Sequence, residues 1–78
     1  MKLTVKIVGS LFRPEGKNLL AWEGPQGSTI EQVLLNLGYA PEHLRFLTAA
    51  VNGVSVPDLD AKPPEGAVVL ISMPIGGG

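Results

Sequence analysis

The chain has 78 residues, 45% of them hydrophobic and 17% charged, which gives room for one small domain and too much apolar content for a disordered chain. Six basic residues against seven acidic ones leave a formal charge of -1, which excludes a polybasic nucleic-acid binder. There is no cysteine and one histidine, so a disulfide scaffold, a cysteine-based metal site, a thiol nucleophile and a histidine-only metal site are excluded as well. No apolar run reaches the ~20 residues of a membrane span and no signal-peptide core follows Met1, so the expectation is a soluble cytoplasmic protein with no membrane partner.

Lys2-Leu3-Thr4-Val5-Lys6-Ile7-Val8 alternates polar and apolar residues. A period of two predicts a first strand with Leu3, Val5 and Ile7 toward the core. Arg13-Pro14-Glu15-Gly16 is a turn signal. A second strand over 18–23 closes a hairpin with a long loop. Its pattern allows either Leu20 and Trp22 or Leu19 and Ala21 as the inward pair. Gly24-Pro25-Gln26-Gly27 breaks the chain, and Ser28 then stands as N-cap with Glu31 completing a Ser-x-x-Glu capping box. Ile30, Val33, Leu34 and Leu37 recur at helical spacing, predicting a helix over 29–37 with Glu31, Gln32 and Asn36 on its polar side. Gly38 occupies the left-handed C-terminal position, and Pro41 stops the helix before a single further turn.

A third strand is expected over 46–51, followed by Asn52-Gly53, the strongest short hairpin signal. Val54-Ser55-Val56 returns as a short fourth strand, 58–66 is a polar loop, and 67–73 forms a nearly continuous apolar last strand. The order implies an α+β fold of the ubiquitin-like β-grasp type: a mixed sheet of four to five strands with one main helix across one face. The domain is expected over 1–73, with 74–78 as a flexible glycine-rich tail.

Catalytic constellations are scarce. His43 lies among polar neighbours; Ser10, Ser28, Ser55 and Ser72 have no evident base; Asp58, Asp60 and Glu65 read as solvated loop residues. No Gly-x-x-x-x-Gly-Lys pattern opens the helix, and Arg13 and Lys17 are too sparse for a phosphate track. The chain is therefore expected not to be an enzyme. The distinctive feature is Pro74-Ile75-Gly76-Gly77-Gly78. Three glycines add nothing to a core, and five extended residues span ~16 Å, enough to thread a narrow channel and place a carboxylate inside another protein.

Several segments together give a family resemblance: Ser28-Thr29-Ile30-Glu31-Gln32-Val33-Leu34, Val51-Asn52-Gly53, Pro64-Glu65-Gly66-Ala67-Val68-Val69-Leu70-Ile71, and Gly77-Gly78 at the end. In this order the chain resembles the ThiS/MoaD family of ubiquitin-like sulfur carriers over essentially its whole length. The resemblance implies that the Gly78 carboxylate is adenylated with ATP by a ubiquitin-activating-type adenylyltransferase and converted to a thiocarboxylate. Gly76 and Gly77 would give steric clearance, and the third glycine exceeds the two the family motif needs. The implied sulfur donor is a cysteine desulfurase or rhodanese. The implied acceptor is a molybdopterin synthase large subunit, or else a thiazole synthase of thiamine biosynthesis. No cofactor is bound in this scheme; ATP is used by the activating partner.

The chemistry agrees with the resemblance, since an ionised α-carboxylate is a poor electrophile until joined to AMP. Strand alternation adds a docking surface. With Leu47, Ala49, Val51, Val69, Ile71 and Met73 inward, the residues Phe46, Ala50, Val68 and Leu70 fall on the uncovered sheet face as an apolar partner-binding patch. Two other readings use the same features: a ubiquitin-like modifier conjugated to lysines through Gly78, and a β-grasp interaction module whose tail is inert.

Overall fold

The computed structural model describes residues 1–73. Five strands and one α-helix follow in order: β1 (Lys2–Ile7), β2 (Leu19–Glu23), α1 (Ile30–Leu37), β3 (Thr48–Val51), β4 (Val54–Val56) and β5 (Val68–Ser72), with 3-10 turns at Pro14–Gly16 and Pro41–Phe46. The strands form one sheet in the order β2-β1-β5-β3-β4. β1 and β5 pair in parallel at its centre, and every other pair is antiparallel. This is the mixed sheet with a single main helix expected of an α+β β-grasp.

Cross-strand partners share a face of the sheet, so the register assigns each residue to one side. Leu3 opposes Trp22 and Val5 opposes Leu20, while Val5 also opposes Val69 and Ile7 opposes Ile71. The inward pair of β2 is therefore Leu20 and Trp22. Val5 and Ile71 are each 0% exposed, as befits residues in the two central strands beneath the helix. Ile30, Val33 and Leu34 of α1 complete this core together with Leu44, Leu47 and Ala49. The Trp22 indole N–H donates to Asn36 Oδ1 at 2.9 Å, so a half-buried polar atom of β2 also fixes the roll of the helix. Gly24 lies against the same ring: a Cβ there would overlap Trp22 Cη2.

The helix start lies one residue later than the Ser28 capping box implies. Thr29 is the N-cap: its Oγ1 accepts from the Gln32 amide at 3.1 Å, and its own amide donates to Gln32 Oε1 at 2.8 Å. Ser28 is buried and turns away, donating from Oγ to the Pro25 carbonyl at 2.7 Å. Thr29-x-x-Gln32 thus replaces Ser28-x-x-Glu31, because Ser28 is engaged by the turn that precedes it. Two further N-terminal donors, the amides of Ile30 and Glu31, are satisfied from the 57–66 loop by the Ala61 and Leu59 carbonyls, both at 3.0 Å. At the other end Gly38 takes φ 107° as the left-handed cap.

The third strand is shorter than expected. Residues 41–46 stay wound in the 3-10 turn that Pro41 initiates, with His43 N–H donating to the Ala40 carbonyl and the buried Leu44 as its anchor. The ladder begins only at Thr48, opposite Ser72. Phe46 therefore belongs to the turn and not to β3. At the β3–β4 hairpin Asn52 and Gly53 both have positive φ, 49° and 84°, the twist-matched geometry of a two-residue connection. Asn52 also bridges to β5: its amide donates to the Val68 carbonyl at 2.8 Å and its Oδ1 accepts from the Val68 amide at 2.9 Å.

Candidate functional site

The site is built around the C-terminal end of β5, where the chain leaves the sheet at Ser72 and Met73. β5 is held on both sides there. Val8 N–H donates to the Ile71 carbonyl at 3.0 Å. From β3, Thr48 Oγ1 lies 2.9 Å from Ser72 Oγ and 3.2 Å from the Ser72 carbonyl. A central strand clamped to its last residue is a rigid base for whatever follows. Gly76, Gly77 and Gly78, the residues on which the carrier chemistry is expected, lie outside the described residues.

Two surfaces border this strand end. The first is the sheet face away from the helix. Its middle row runs Leu19, Lys6, Leu70, Ala50, Ser55 across five strands, with Ala21, Thr4 and Val68 in the next row. Ala50 and Leu70 are half-buried, while Val68 is 43% and Leu19 60% exposed. Three of the four predicted patch residues thus share this face: Ala50, Val68 and Leu70. The 57–66 loop turns toward the helix, where Leu59 and Ala61 pack against the core and their carbonyls accept from the first amides of α1.

The second surface is a corner that holds the fourth residue, Phe46. Ser10, Leu11, Phe12, Tyr39, His43, Phe46, Leu47 and Met73 line a groove of about 360 Å³. Phe12 and Tyr39 meet edge to face, with centroids 5.4 Å apart and planes at 82°. The Tyr39 hydroxyl donates to the Phe12 carbonyl at 2.5 Å, which ties the β1–β2 loop to the end of α1. Burial raises the Tyr39 pKa above its ordinary value of 10.0, while the Arg13 charge pulls it in the opposite direction. The Arg45 guanidinium carbon stands 4.8 Å from the centre of the Phe46 ring, within cation–π range.

Sequence patterning missed Phe12 and Tyr39. A signal for Tyr39 existed, because a large apolar residue just past a Gly cap commonly folds back on the last helical turn. Phe12 gave a weaker one, the single aromatic residue in a loop rich in Gly, Pro and charged residues. The remaining polar candidates stay apart. His43 is exposed on the groove wall. Asp58 Oδ1 accepts from the Asp60 amide at 2.9 Å, and Glu65 Oε2 accepts from the Lys2 amide at 2.8 Å. Among the described residues no three His, Asp or Glu side chains gather as a metal site, and no helix is long and apolar enough to cross a membrane.

The fold is a ubiquitin-like β-grasp. It superposes on SAMP1 from Haloferax volcanii with a TM-score of 0.74 at 13% identity, over 100% of both chains. Molybdopterin converting factor subunit 1 from Pyrococcus furiosus matches with a TM-score of 0.72 at 21% identity, over 95% of this chain and 98% of that one. A chain from the complex of subunits 1 and 2 of the molybdopterin-converting factor from Helicobacter pylori matches with a TM-score of 0.65 at 19% identity, over 100% of both chains. No protein-family model and no curated protein sequence matches the chain.

Proposed function

We propose that this chain is a non-catalytic sulfur carrier, loaded as a thiocarboxylate on Gly78 and serving molybdopterin synthesis. The observation that carries the reading is the placement of β5. The clamped central strand of a β-grasp passes at Met73 into a five-residue segment holding Gly76, Gly77 and Gly78. A rigid domain with a slim end suits delivery of one carboxylate into a partner's active site. Two of the structural neighbours bear the molybdopterin-converting-factor name, and one of those comes from a complex of subunits 1 and 2. They support an acceptor of the synthase large-subunit kind over a thiazole synthase.

The chemistry requires an activating partner with magnesium and ATP. The Gly78 carboxylate attacks the α-phosphorus of ATP, pyrophosphate leaves, and an acyl-adenylate remains. A donor persulfide, supplied by a cysteine desulfurase or rhodanese, attacks the acyl carbon and expels AMP. Attack of a thiol on the resulting acyl disulfide releases the thiocarboxylate and leaves a disulfide on the donor side. Each electrostatic demand of phosphoryl displacement falls on the partner, so the carrier needs neither acid, base nor metal ligand.

The test is to incubate the chain with a candidate adenylyltransferase and ATP, and to follow pyrophosphate release together with the mass of the C-terminal peptide. An AMP adduct on Gly78, converted to a thiocarboxylate by a persulfide donor, is the expected result. Isopeptide bonds from Gly78 to protein lysines, without sulfur, would assign the modifier role instead. No adduct with any such partner leaves the interaction module.

A further inference from the structure

The corner beside the end of β5 is unusual in composition. The chain has two phenylalanines, one tyrosine, one histidine and two arginines, and all six meet there. Phe12, Tyr39, His43 and Phe46 line the groove. Arg45 stacks on Phe46, and Arg13 donates from Nη1 to the carbonyl of Leu11, another lining residue, at 2.9 Å. Phe12 is 57% and Phe46 51% exposed, and they are the only aromatic rings among the exposed large apolar residues described, since Trp22 and Tyr39 are buried. None of the residues lining the groove is acidic. The corner thus gathers every aromatic ring but Trp22 with both arginines at its edge, Arg45 standing at the boundary with an adjoining cleft that carries Glu31, Asp58 and Asp60. Aromatic residues, Met and Arg are the types enriched where protein partners bind tightly.

We infer that this corner is a docking site for a partner-protein segment carrying an apolar side chain flanked by carboxylates. The apolar side chain fits between Phe12, Phe46, Leu47 and Met73. The carboxylates answer Arg45 and Arg13, whose positions on the rim give register and on-rate. Peptide is the favoured occupant over nucleic acid because two arginines and one histidine are too few to track a phosphate backbone. The assignment holds whether or not Gly78 carries sulfur, since it rests on the groove alone. It also separates Phe46 from the open sheet face: Ala50, Val68 and Leu70 belong to a different surface.

A random dodecapeptide display library selected on the intact chain at 150 mM salt (a probe concentration typical of ionic screening over ~8 Å) tests this. Enriched peptides are expected to carry an aromatic or aliphatic residue beside at least two acidic ones. Their binding should fall about tenfold or more in Phe46→Ala, Phe12→Ala and Arg45→Glu, in line with the loss of a hot-spot contact, and change less than about twofold in Val68→Ala. Arg45→Gln, which keeps most of the stem and removes the charge, should lose affinity as well. Amide spectra with unchanged Val5 and Ile71 resonances show that each variant keeps its core. Neutral or basic enriched sequences, no enrichment, binding that survives these substitutions, or a single-stranded oligonucleotide binding the corner at the same salt would overturn the assignment.

Discussion

The open sheet face and the aromatic corner border the same strand end, yet they are built on opposite principles. The sheet face is made of small or half-buried residues such as Ala50 and Leu70, carries a shallow cleft between Ala50, Ser55 and Leu70, and is interrupted by Lys6. Its character follows from strand alternation, so any β-grasp with one helix leaves such a face uncovered. The corner is concave, holds large exposed rings, and draws on three segments distant in sequence: the β1–β2 loop, the 39–47 stretch and Met73. An apolar face inherited from topology and a cluster of aromatic and cationic side chains assembled across the chain carry different weight. The second is the more informative, because folding alone does not demand it.

Four perturbations separate the two regions from the core and from each other. The largest effect is expected at the glycine run: removing Gly76, Gly77 and Gly78 together should abolish formation of the acyl-adenylate, by mass spectrometry, while leaving peptide binding at the corner unchanged. Next is Ile71→Ala, which should cost about 2–5 kcal/mol in urea denaturation, since Ile71 is fully buried. Its neighbour Leu70→Ala should cost less than half as much, and Phe46→Ala only about 0.5 kcal/mol, as for other exposed positions. A large stability loss at Phe46 would show that the ring serves the fold.

Tyr39→Phe should produce a smaller change, about 0.5–1.5 kcal/mol for the hydrogen bond to the Phe12 carbonyl, with faster amide exchange confined to the β1–β2 loop. The same residue gives a pH signature. Its folded pKa is raised by burial, so its contribution is complete below pH 10 and is lost as pH rises through the folded pKa. Denaturation midpoints should fall more steeply above pH 10 in the native chain than in Tyr39→Phe. Equal slopes would mean that the phenol is not desolvated. Gly24→Ala sharpens the comparison from the far side of the molecule: it should destabilise through Trp22 while binding at the corner is untouched.

Much of this organisation was legible in the sequence where the cause is local. Alternation in Lys2–Ile7 fixed the inward set of β1, the Ile30, Val33, Leu34 spacing fixed the helix face, and Asn52-Gly53 fixed a hairpin. Local chemistry was not enough at the helix start. Ser28 and Thr29 are both good caps, and the choice turns on the hydrogen bond from Ser28 to Pro25. Phe46 fits strand alternation equally well, but Pro41 and the buried Leu44 keep it in a 3-10 turn. The corner was invisible for a related reason: Phe12 and Tyr39 are 27 residues apart, and no periodicity links them.

The most direct measurement of the central claim is the intact mass of the protein isolated from its own cells without reducing agents or acid. The expected result is a population in which one oxygen is replaced by one sulfur, localised by fragmentation to the peptide containing Gly78. A protein carrying only a free carboxylate there, in cells actively making the sulfur-containing cofactor, would contradict it.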